Sequence, residues 1–506
     1  MIAWLCILII FCLLVTRYRR GRRGHPLPPG PWRVPLLGNI LDFPTSDLAR
    51  GFHELAARYG GIAYLEVLGK PILVLDSYDA TRELLERRSR TYADRPDSVM
   101  VKLATMTDFS LPVMPYGDHW RKHRRVYHQT LQQKTITSRY HDQLTRVTRL
   151  LLSNLLESPH EFSRHIDHAF AASVLDIGYG IKISKDDDRF VNMLHVSHDL
   201  IEAVVVPGQY LVEVLPALQH LPSWIPGQKF RKDSKALREE VHATMRVLYE
   251  EGKKRAEAGE GSDSIVATSL RGMAQLDKQA AAEEEEKCAS VAVTTYLAGS
   301  DTTVASMRAF LLAMAMYPEV QKKAQDELDR TVGRSRLPDL NDRDSLPYIS
   351  ALVKELSRWH VVAPIGLAHA ALEDDEYNGY YIPRGTVVIT NLWAYSRDPA
   401  VYPDPETFNP DRFLKDGKLD TSVRDPYSYI FGFGRRICPG RHLADASLFL
   451  TCAAILHVFS VAPPLDENGC PKELKPRMTT HLIISHPEEF DCAIKPRWAN
   501  AAELIR

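Results

Sequence analysis

Phe431-Gly-Phe-Gly-Arg-Arg-Ile-Cys-Pro-Gly440 is the most informative stretch of this 506-residue chain. It ends a glycine-rich loop on Cys438, and glycine permits positive φ or a close approach of the backbone to a ligand. Helical apolar spacing follows, and Pro439 suits the first position of a helix. Amide N–H groups and the positive end of a helix dipole stabilise a thiolate, which is the form that binds metals. The loop therefore predicts Cys438 as a metal ligand, although a buried cysteine in a turn is commoner for a lone Cys-Pro-Gly.

The complete pattern resembles the haem-binding signature of the cytochrome P450 family, Phe-x-x-Gly-x-Arg-x-Cys-x-Gly, and every fixed position is filled. The resemblance implies that Cys438 is the axial thiolate ligand of haem b, which favours O–O cleavage. It also implies that Gly432 and Gly440 line the cofactor. Arg436 is expected to pair with a haem propionate, because guanidinium matches a carboxylate bidentately.

Composition narrows the class of protein. The chain is 45% hydrophobic and 25% charged with a formal net charge of -1, which fits a globular protein with a large core and gives no indication of nucleic-acid binding. Its seven cysteines are an odd number and form no CxxC pair, which argues against a disulfide framework or a zinc site. We find no linker between residues 40 and 490 that would divide the chain.

The N-terminus predicts a membrane attachment. Residues 1–15 are almost wholly apolar, and five arginines follow between Arg17 and Arg23. A cleaved signal peptide would carry its charge before the apolar run, so a single-pass anchor at 1–16 is favoured over a signal peptide or a buried helix, with monotopic insertion next. The positive-inside rule then places the body in the cytosol. The Pro-Pro-Gly-Pro and Pro35-Leu-Leu-Gly-Asn39 stretches that follow resemble the start of microsomal members of the family, which implies the endoplasmic reticulum membrane. Residues 17–35, basic and rich in proline, are expected to form a stiff hinge before a catalytic domain at 36–506.

A long helix is predicted over residues 280–316, and Ala298-Gly-Ser-Asp-Thr-Thr303 interrupts its apolar sequence. A kink or close helix packing would explain this stretch if it stood alone. It also matches the Ala/Gly-Gly-x-Asp/Glu-Thr-Thr motif of the cytochrome P450 family. The resemblance implies that Thr302 hydrogen-bonds dioxygen bound at the haem, that Asp301 relays protons, and that Gly299 leaves room for oxygen and water.

Two motifs of the family imply a buried charge network. Glu355 and Arg358 are three residues apart and share one helix face. Asn409-Pro-Asp-Arg-Phe413 follows in the order that the family shows. Glu355, Arg358 and Arg412 are therefore expected to form a structural triad rather than to take part in the chemistry.

Three further residues are expected to bind the haem propionates by the same resemblance. Trp120 and Arg124 match a Trp-x-x-x-Arg pattern, and their i, i+4 spacing puts both on one helix face. His369 occupies a position where members of the family often carry a propionate-binding His or Arg, although a lone histidine is more often a satisfied polar residue. The stretch 373–386 that follows is predicted to be a small β-hairpin.

Electrons are expected to come from NADPH through a separate reductase, since the chain has neither a GxGxxG nor a P-loop nucleotide motif. Six basic residues beside the predicted thiolate would form a docking surface for an acidic donor if they share a face; a merely solvated basic surface is the alternative. They are Arg121, Lys122, Arg124, Arg125, Arg435 and Arg441.

Substrate contacts are expected, by family analogy, from residues 92–115, 201–215, the helix before Ala298, 361–367 and 478–483. Apolar residues dominate these segments, with Thr479, Thr480 and His481 as the main polar interruptions, which indicates a small and largely apolar substrate.

We therefore expect a mainly α fold with a small β-rich part, the cytochrome P450 fold, plus an N-terminal anchor helix. The expected activity is that of a haem-thiolate monooxygenase with O2 as cosubstrate. The sequence also resembles those of fungal microsomal members that oxidise terpenoid or aromatic secondary metabolites. The alternatives are xenobiotic oxidation, a haem-thiolate isomerase or dehydratase, and a catalytically silent membrane protein that binds haem or lipid.

Overall fold

The computed structural model describes residues 25–184, 189–205, 209–222, 224, 226–479 and 483–505. These residues are mainly helical with short sheets, as the sequence predicts. The predicted anchor at 1–16 and the first residues of the predicted hinge, 17–24, lie outside the described residues. Within the described ranges, no helix has both the length and the hydropathy that crossing a membrane requires.

Eighteen α-helices follow one another along the described chain, together with a π-helix at Arg82–Arg87 and short 3-10 turns. They are α1 Leu48–Ala57, α2 Tyr78–Thr81, α3 Val99–Leu103, α4 Met106–Phe109, α5 Asp118–Leu131, α6 Gln133–Arg139, α7 His141–Glu157, α8 Phe162–Tyr179, α9 Arg189–Val205, α10 Leu211–Val214, α11 Lys229–Glu257, α12 Ile265–Met273, α13 Lys278–Met316, α14 Pro318–Thr331, α15 Pro347–Trp359, α16 Leu392–Ser396, α17 Arg441–Val458 and α18 Ala501–Ile505.

Ten short strands are described. They are β1 Ile62–Val67, β2 Lys70–Leu75, β3 His369–Ala370, β4 Asp375–Tyr377, β5 Tyr380–Ile382, β6 Val387–Thr390, β7 Leu414–Lys415, β8 Lys418–Leu419, β9 Phe459–Ala462 and β10 Ala493–Pro496.

The described chain divides into two compact units. The first, here called the β unit, contains residues 25–97, Ile365–Tyr395 and Phe433–Arg436. The second, here called the helical unit, contains Ser98–Pro364, Ser396–Gly432 and residues 437–505. Each unit is therefore assembled from segments that are distant in the sequence.

The β unit is built on a four-stranded sheet with the order β1-β2-β6-β3. Strands β1 and β2 are antiparallel, β6 joins β2 in parallel with Val74 opposite Ile389, and β3 pairs antiparallel with β6. Side chains of α1 and the sheet, including Phe52, Leu65 and Val74, form its apolar core.

Strands β4 and β5 form the hairpin that the sequence predicts within residues 373–386. Asn378 and Gly379 connect them with φ values of 52° and 78°. Two residues of positive φ are what a tight two-residue hairpin turn needs, and Asn-Gly supplies them at little cost.

The described part of the predicted hinge is attached to the β unit. The Pro26 carbonyl accepts a hydrogen bond from the Tyr381 amide at 2.8 Å, and the Pro29 carbonyl accepts one from the Tyr64 amide at 2.8 Å. A Cβ on Gly30 would lie 2.0 Å from the Tyr64 carbonyl oxygen, so the chain here packs against β1 as closely as backbone allows. Residues 26–30 therefore belong to the folded body.

The helical unit is centred on α13, whose 39 residues confirm the helix predicted at 280–316. Asp277 caps it, since its carboxylate accepts hydrogen bonds from the Gln279 and Ala280 amides at 3.0 and 2.9 Å. From Val291 onward α13 is largely buried, and its apolar residues share one continuous core with α8 and α17.

Candidate active site

Cys438 lies in the helical unit, two residues before the N-cap of α17. Its amide donates to the Phe431 carbonyl at 2.8 Å, which closes the loop that the signature predicts. The prediction of Pro439 at the first helical position is wrong. Pro439 and Gly440 form a turn, Gly440 is the N-cap, and α17 begins at Arg441.

The two glycines assigned to the cofactor differ in how strictly the backbone requires them. Gly432 has a φ of 74°, a backbone conformation that few residues other than glycine adopt. Gly440 has a φ of -83°, which any residue tolerates, and a Cβ there would make an ordinary contact with the Cys438 sulfur at 3.8 Å. The cofactor roles of both glycines stay predictions.

The surroundings of the Cys438 thiol act on its pKa in both directions. Loss of solvent raises the pKa, whereas the amides of Gly440 and Arg441 and the guanidinium groups of Arg124 and Arg441 lower it; the net pKa is raised. The expected amide donors are thus in place, but they do not by themselves produce a thiolate. A metal ion bound to the sulfur would supply the missing positive charge, and Cys438 as a residue is only partly buried.

Trp120 and Arg124 lie on α5 in the helical unit. The Trp120 side chain is buried, with its ring 5.2 Å from that of Tyr116. Burial lowers the pKa of Arg124, and the nearby Arg441 adds to this effect, while Cys438 opposes it. Among the described residues, no carboxylate lies within ion-pair distance of the Arg124 guanidinium. Its surroundings therefore favour an anionic partner, as the predicted propionate contact requires.

Three basic side chains meet within the β unit. The Arg95 Nη1 atom donates to the carbonyls of Leu367 and Ala368 at 2.9 and 2.8 Å. The Arg436 Nε atom donates to the Ala93 carbonyl at 2.6 Å, and His369 Nδ1 lies 2.8 Å from the Tyr92 carbonyl. Burial and the charge of Arg436 lower the pKa of Arg95 to about 9. Crowded cations of this kind would be stabilised by a group with two carboxylates, and haem carries two propionates.

Arg95 is a candidate that sequence reasoning missed. It lies within the segment 92–115, which family analogy predicts to contact the substrate. No motif marks it, and its proximity to His369 and Arg436 arises only when the chain segments of the β unit come together. The predicted residues His369 and Arg436 thus gain a third basic neighbour.

The stretch Ala298–Thr303 forms regular turns of α13. The Thr302 hydroxyl donates to the Ala298 carbonyl at 3.1 Å, and the Thr303 hydroxyl donates to that of Gly299 at 3.1 Å. Ala298 is exposed and Gly299 is partly so, although the residues before them are buried. This part of the helix therefore faces accessible space, and Thr302 keeps its oxygen lone pairs available beyond its internal bond.

Asp301 has a partner that the sequence did not indicate. His486 Nε2 lies 3.2 Å from one carboxylate oxygen of Asp301 and 3.4 Å from the other. Burial acts to raise the pKa of the Asp301 carboxyl, but the hydrogen bond and charge of His486 outweigh it, and the net pKa is lowered. Asp301 is thus ionised near neutral pH, as a proton acceptor in a relay should be.

The side chains of Glu355, Arg358 and Arg412 contact one another in the helical unit. Arg358 and Glu355 are fully buried, with Nε–Oε2 and Nη2–Oε1 distances of 2.7 Å. Arg412 Nε lies 3.2 Å from Glu355 Oε1, and the Asn409 amide donates to the same oxygen at 2.8 Å. The geometry is that of a doubly cationic network around one carboxylate, and its assignment to haem retention stays a prediction.

The remaining predicted groups are placed as follows. Arg435 is exposed in the β unit, whereas Arg121, Lys122 and Arg125 are exposed on α5 in the helical unit. Arg121 pairs with Asp118 and is not a free cation. Of the polar residues expected at the substrate, Thr479 accepts a hydrogen bond from the His486 amide at 2.9 Å, and Thr480 and His481 lie outside the described residues.

A cysteine loop with amide donors, basic groups suited to two carboxylates, and an acid–alcohol pair on a long helix are together the features of a haem-thiolate oxidoreductase. Comparison with known proteins leads to the same class. The family model described as Cytochrome P450 matches residues 28–491.

Three fungal relatives illustrate the likeness. Cytochrome P450 monooxygenase COX2 of Coprinopsis cinerea is 38% identical over 475 residues, covering 94% of this chain and 90% of that protein. Cytochrome P450 monooxygenase 176 of Postia placenta is 39% identical over 502 residues, covering 98% and 95%. Tryptamine 4-monooxygenase of Psilocybe cyanescens is 38% identical over 492 residues, covering 96% of each. The chain belongs to the cytochrome P450 family and is a monooxygenase, as the haem signature predicted.

Proposed function

We propose that this enzyme inserts one oxygen atom of O2 into a small, neutral and largely apolar natural product, of the terpenoid or aromatic kind. The observation that carries the choice of a neutral substrate concerns Glu213, in one of the expected substrate segments. Its carboxylate accepts hydrogen bonds from the Ser98 hydroxyl at 2.8 Å and from the Met100 amide at 2.7 Å. Because the Glu213 carboxylate is hydrogen-bonded to the start of α3, it is poorly placed to bind an ammonium group of a substrate.

The apolar character of the same segments supports the proposal. Met100, Met106, Phe109 and Met114 are buried in the region that precedes α5. Methionine and phenylalanine supply adaptable apolar surface, which discriminates weakly among substrates of similar shape. A family of related scaffolds is therefore a better expectation than one molecule.

When bound through a cysteine thiolate, haem supplies the activation of O2 and the cleavage of its O–O bond. In our proposal Cys438 holds the iron, with the Gly440 and Arg441 amides directed at its sulfur. Arg95, Arg124, His369 and Arg436 orient the cofactor through its carboxylates.

Proton delivery is assigned to α13. Asp301, ionised and partly exposed, accepts protons and passes them toward the Thr302 hydroxyl, which orients them at the reacting oxygen. Thr302 is suited to this because its hydroxyl can exchange its internal bond to the Ala298 carbonyl for a contact outside the helix.

Electrons are proposed to come from NADPH through a separate reductase. Lys122 and Arg125, exposed on α5, favour an acidic partner surface and would raise its association rate. If this holds, charge reversal at both positions slows reduction by the reductase in stopped-flow experiments at low ionic strength, and the difference shrinks as salt is added.

We also propose that the protein is held at the endoplasmic reticulum membrane, with its catalytic body in the cytosol. The support is the apolar, Arg-flanked N-terminal sequence together with the exposure of Trp32 (78%) and Leu41 (81%) just after it. Large apolar side chains left in water are typical of a surface that meets lipid or another apolar partner.

The test of the proposed function is product analysis. The full-length chain would be co-expressed with a reductase and supplied with NADPH, 18O2 and a panel of neutral terpenoids, neutral aromatics and tryptamine. We expect products that carry a single 18O atom from the neutral compounds, and little turnover of tryptamine. A marked preference for tryptamine, which the name of one relative makes the sharpest competitor, would contradict the neutral-substrate proposal.

Matched variants separate the other possibilities. Cys438→Ser should abolish turnover, whereas Thr302→Ala should consume NADPH with less product and more peroxide. Rearranged products without 18O would indicate an isomerase or dehydratase, and a broad, unselective product range would favour xenobiotic oxidation. Intact haem binding without any turnover would favour a silent haem-binding protein.

A further inference from the structure

The Asp301 carboxylate of α13 is held by one imidazole from the C-terminal part of the chain. His486 approaches both of its oxygens, at 3.2 and 3.4 Å. The two side chains are 25% and 16% exposed, respectively, so water reaches them only in part. Among the described residues, His486 is the only side chain within hydrogen-bond distance of Asp301.

The two ring nitrogens of His486 have unequal surroundings. Nε2 faces Asp301, whereas Nδ1 is buried and has no hydrogen-bond partner among the described residues. A neutral imidazole with its proton on Nε2 satisfies the carboxylate and leaves only an acceptor unused. His486 is therefore built to donate one hydrogen bond to Asp301.

Nearby histidines do not share this arrangement. His198 Nε2 donates to the Leu297 carbonyl at 2.7 Å, and His360 Nε2 donates to the Ser485 carbonyl at 2.9 Å. Their N–H groups are used by the backbone. His486 alone of these three directs an N–H group at an ionisable side chain of the oxygen-handling helix.

The other charges around Asp301 already have partners. Arg308, further along α13, donates from Nη2 to both carboxylate oxygens of Asp167 of α8, at 2.7 and 2.8 Å. His195 of α9 lies 3.7 Å from the same carboxylate. His198 and Arg308 act on Asp301 only through space, and Asp167 opposes them with like charge.

We propose that His486 is a positioning residue for Asp301: it fixes the orientation of the carboxylate and keeps it ionised. Proton delivery to the active site then keeps pace with the supply of electrons from NADPH. The inference rests on the proposed role of Asp301 in proton delivery. It adds to that role a specific partner, from a segment that no motif of the chain marks.

The direct test is infrared difference spectroscopy of the purified, haem-loaded protein at rest. The C=O stretch of a protonated Asp301 is identified as the band that Asp301→Asn removes. In His486→Leu the carboxyl keeps its partial burial but loses its donor, so we expect this band to titrate roughly one pH unit or more higher than in the wild type. His486→Gln, whose amide can still donate, should stay close to the wild type, and so should His195→Gln, which removes an imidazole that contacts Asp167 instead.

A second measurement concerns coupling. With any substrate that the enzyme oxidises, His486→Leu should raise the share of NADPH that ends as peroxide by at least about threefold, with His486→Gln restoring most of the coupling. An unchanged titration of Asp301 in His486→Leu would overturn the proposal. So would a shifted titration with unchanged coupling. Because the infrared result needs no turnover, failure to find a substrate would count against the proposed function and leave this inference testable on its own.

Discussion

Arg358 is among the largest of the fully buried side chains in the described residues, and it makes several hydrogen bonds within the helical unit. Besides its pair with Glu355, it donates to the carbonyls of Ser396, Pro405 and Thr407 at 3.0, 2.7 and 3.2 Å. Arg358→Ala would leave those acceptors and part of the Glu355 charge uncompensated inside the protein. We expect a loss of about 3–5 kcal/mol and protein that fails to retain haem, measured by the haem-to-protein ratio after purification.

Two matched variants control this prediction. Arg358→Lys keeps the charge but cannot reproduce the fork of donors, so it should also lose haem, though less completely. Lys323→Ala removes a cation whose pair with Asp411 at 2.7 Å is half exposed, and should cost about 0–1 kcal/mol. Arg358→Ala protein that is fully loaded with haem and active would refute the structural assignment.

If His369 meets a haem propionate as predicted, haem binding should be sensitive to pH. Its Nδ1 faces the Tyr92 carbonyl, which only accepts, so Nδ1 carries a proton and Nε2 can donate only in the imidazolium form. Burial and the charge of Arg95, with Arg436 adding to it, hold the pKa of His369 well below its usual range before the cofactor binds. A propionate would raise that pKa, so haem binding should take up a proton. Affinity should therefore be higher at low pH and fall as pH rises through the pKa of the bound form.

The measurement is the rate of haem transfer to apomyoglobin between about pH 5 and 8, a range that begins below the ordinary pKa of histidine. The wild type should release haem faster as pH rises. His369→Arg, which carries a permanent charge, should lose most of this slope, while His369→Gln should release haem quickly at low pH as well. An equal slope in the wild type and in His369→Arg would show that another group is responsible.

At the scale of elements, the crossing of α13 over α8 depends on Gly299. A Cβ at this position would lie 3.0 Å from Val174 Cγ1, closer than side chains ordinarily pack. Alanine is favoured over glycine in a helix by up to ~1 kcal/mol, so the contact and the helix propensity oppose each other. We expect Gly299→Ala to be neutral or destabilising in the wild type, and more favourable by ~1 kcal/mol in a Val174→Ala background.

Thermal unfolding of the four proteins of this double-mutant cycle, each in the haem-loaded form, measures the coupling. Additive effects would mean that α13 and α8 accommodate the extra Cβ without a clash at Val174. Gly299 would then be needed for another reason, such as the room for oxygen and water that the motif implies. Coupling would establish a packing role, and peroxide yields from the same variants would then tell whether a catalytic role exists beside it.

Some elements could be predicted from the sequence and others could not. Helix α13, to within two residues at its start, and the β4–β5 hairpin could be predicted because apolar periodicity and an Asn-Gly turn are local signals. The start of α17 was misplaced by two residues, since proline is compatible both with a first helical turn and with the turn before it. Arg95 and His486 escaped prediction because each becomes significant only beside residues that are distant in the sequence, and no local pattern encodes that proximity.

On the scale of the whole molecule, the family resemblance predicted the class of enzyme correctly, because five separate motifs occur in order along one chain. It did not predict that the Pro-rich stretch assigned to a hinge is bonded to the β unit. Pro26 and Pro29 accept backbone hydrogen bonds from β5 and β1. The Gly38 amide donates to the Val34 carbonyl, and the Gly38 carbonyl accepts from the Val34 amide. The Pro-rich stretch is thus bonded to the edge of the β unit as well as connecting it to the N-terminal sequence.

A truncation series tests this boundary. Removing residues 1–24 should leave a protein that folds, retains haem and unfolds at the full-length temperature, since the bonds of Pro26 and Pro29 persist. Removing residues 1–38 deletes both bonds and the close packing of Gly30 on Tyr64, so we expect a loss of at least ~2 kcal/mol and a lower unfolding midpoint. Sedimentation with microsomes reports attachment separately: it should drop on removing 1–24 if the N-terminal sequence is the anchor, with residual binding through Trp32 and Leu41. Equal stability of the two truncated proteins would support the predicted hinge at residues 17–35, because the contacts of Pro26 and Pro29 would then contribute nothing to the stability of the fold.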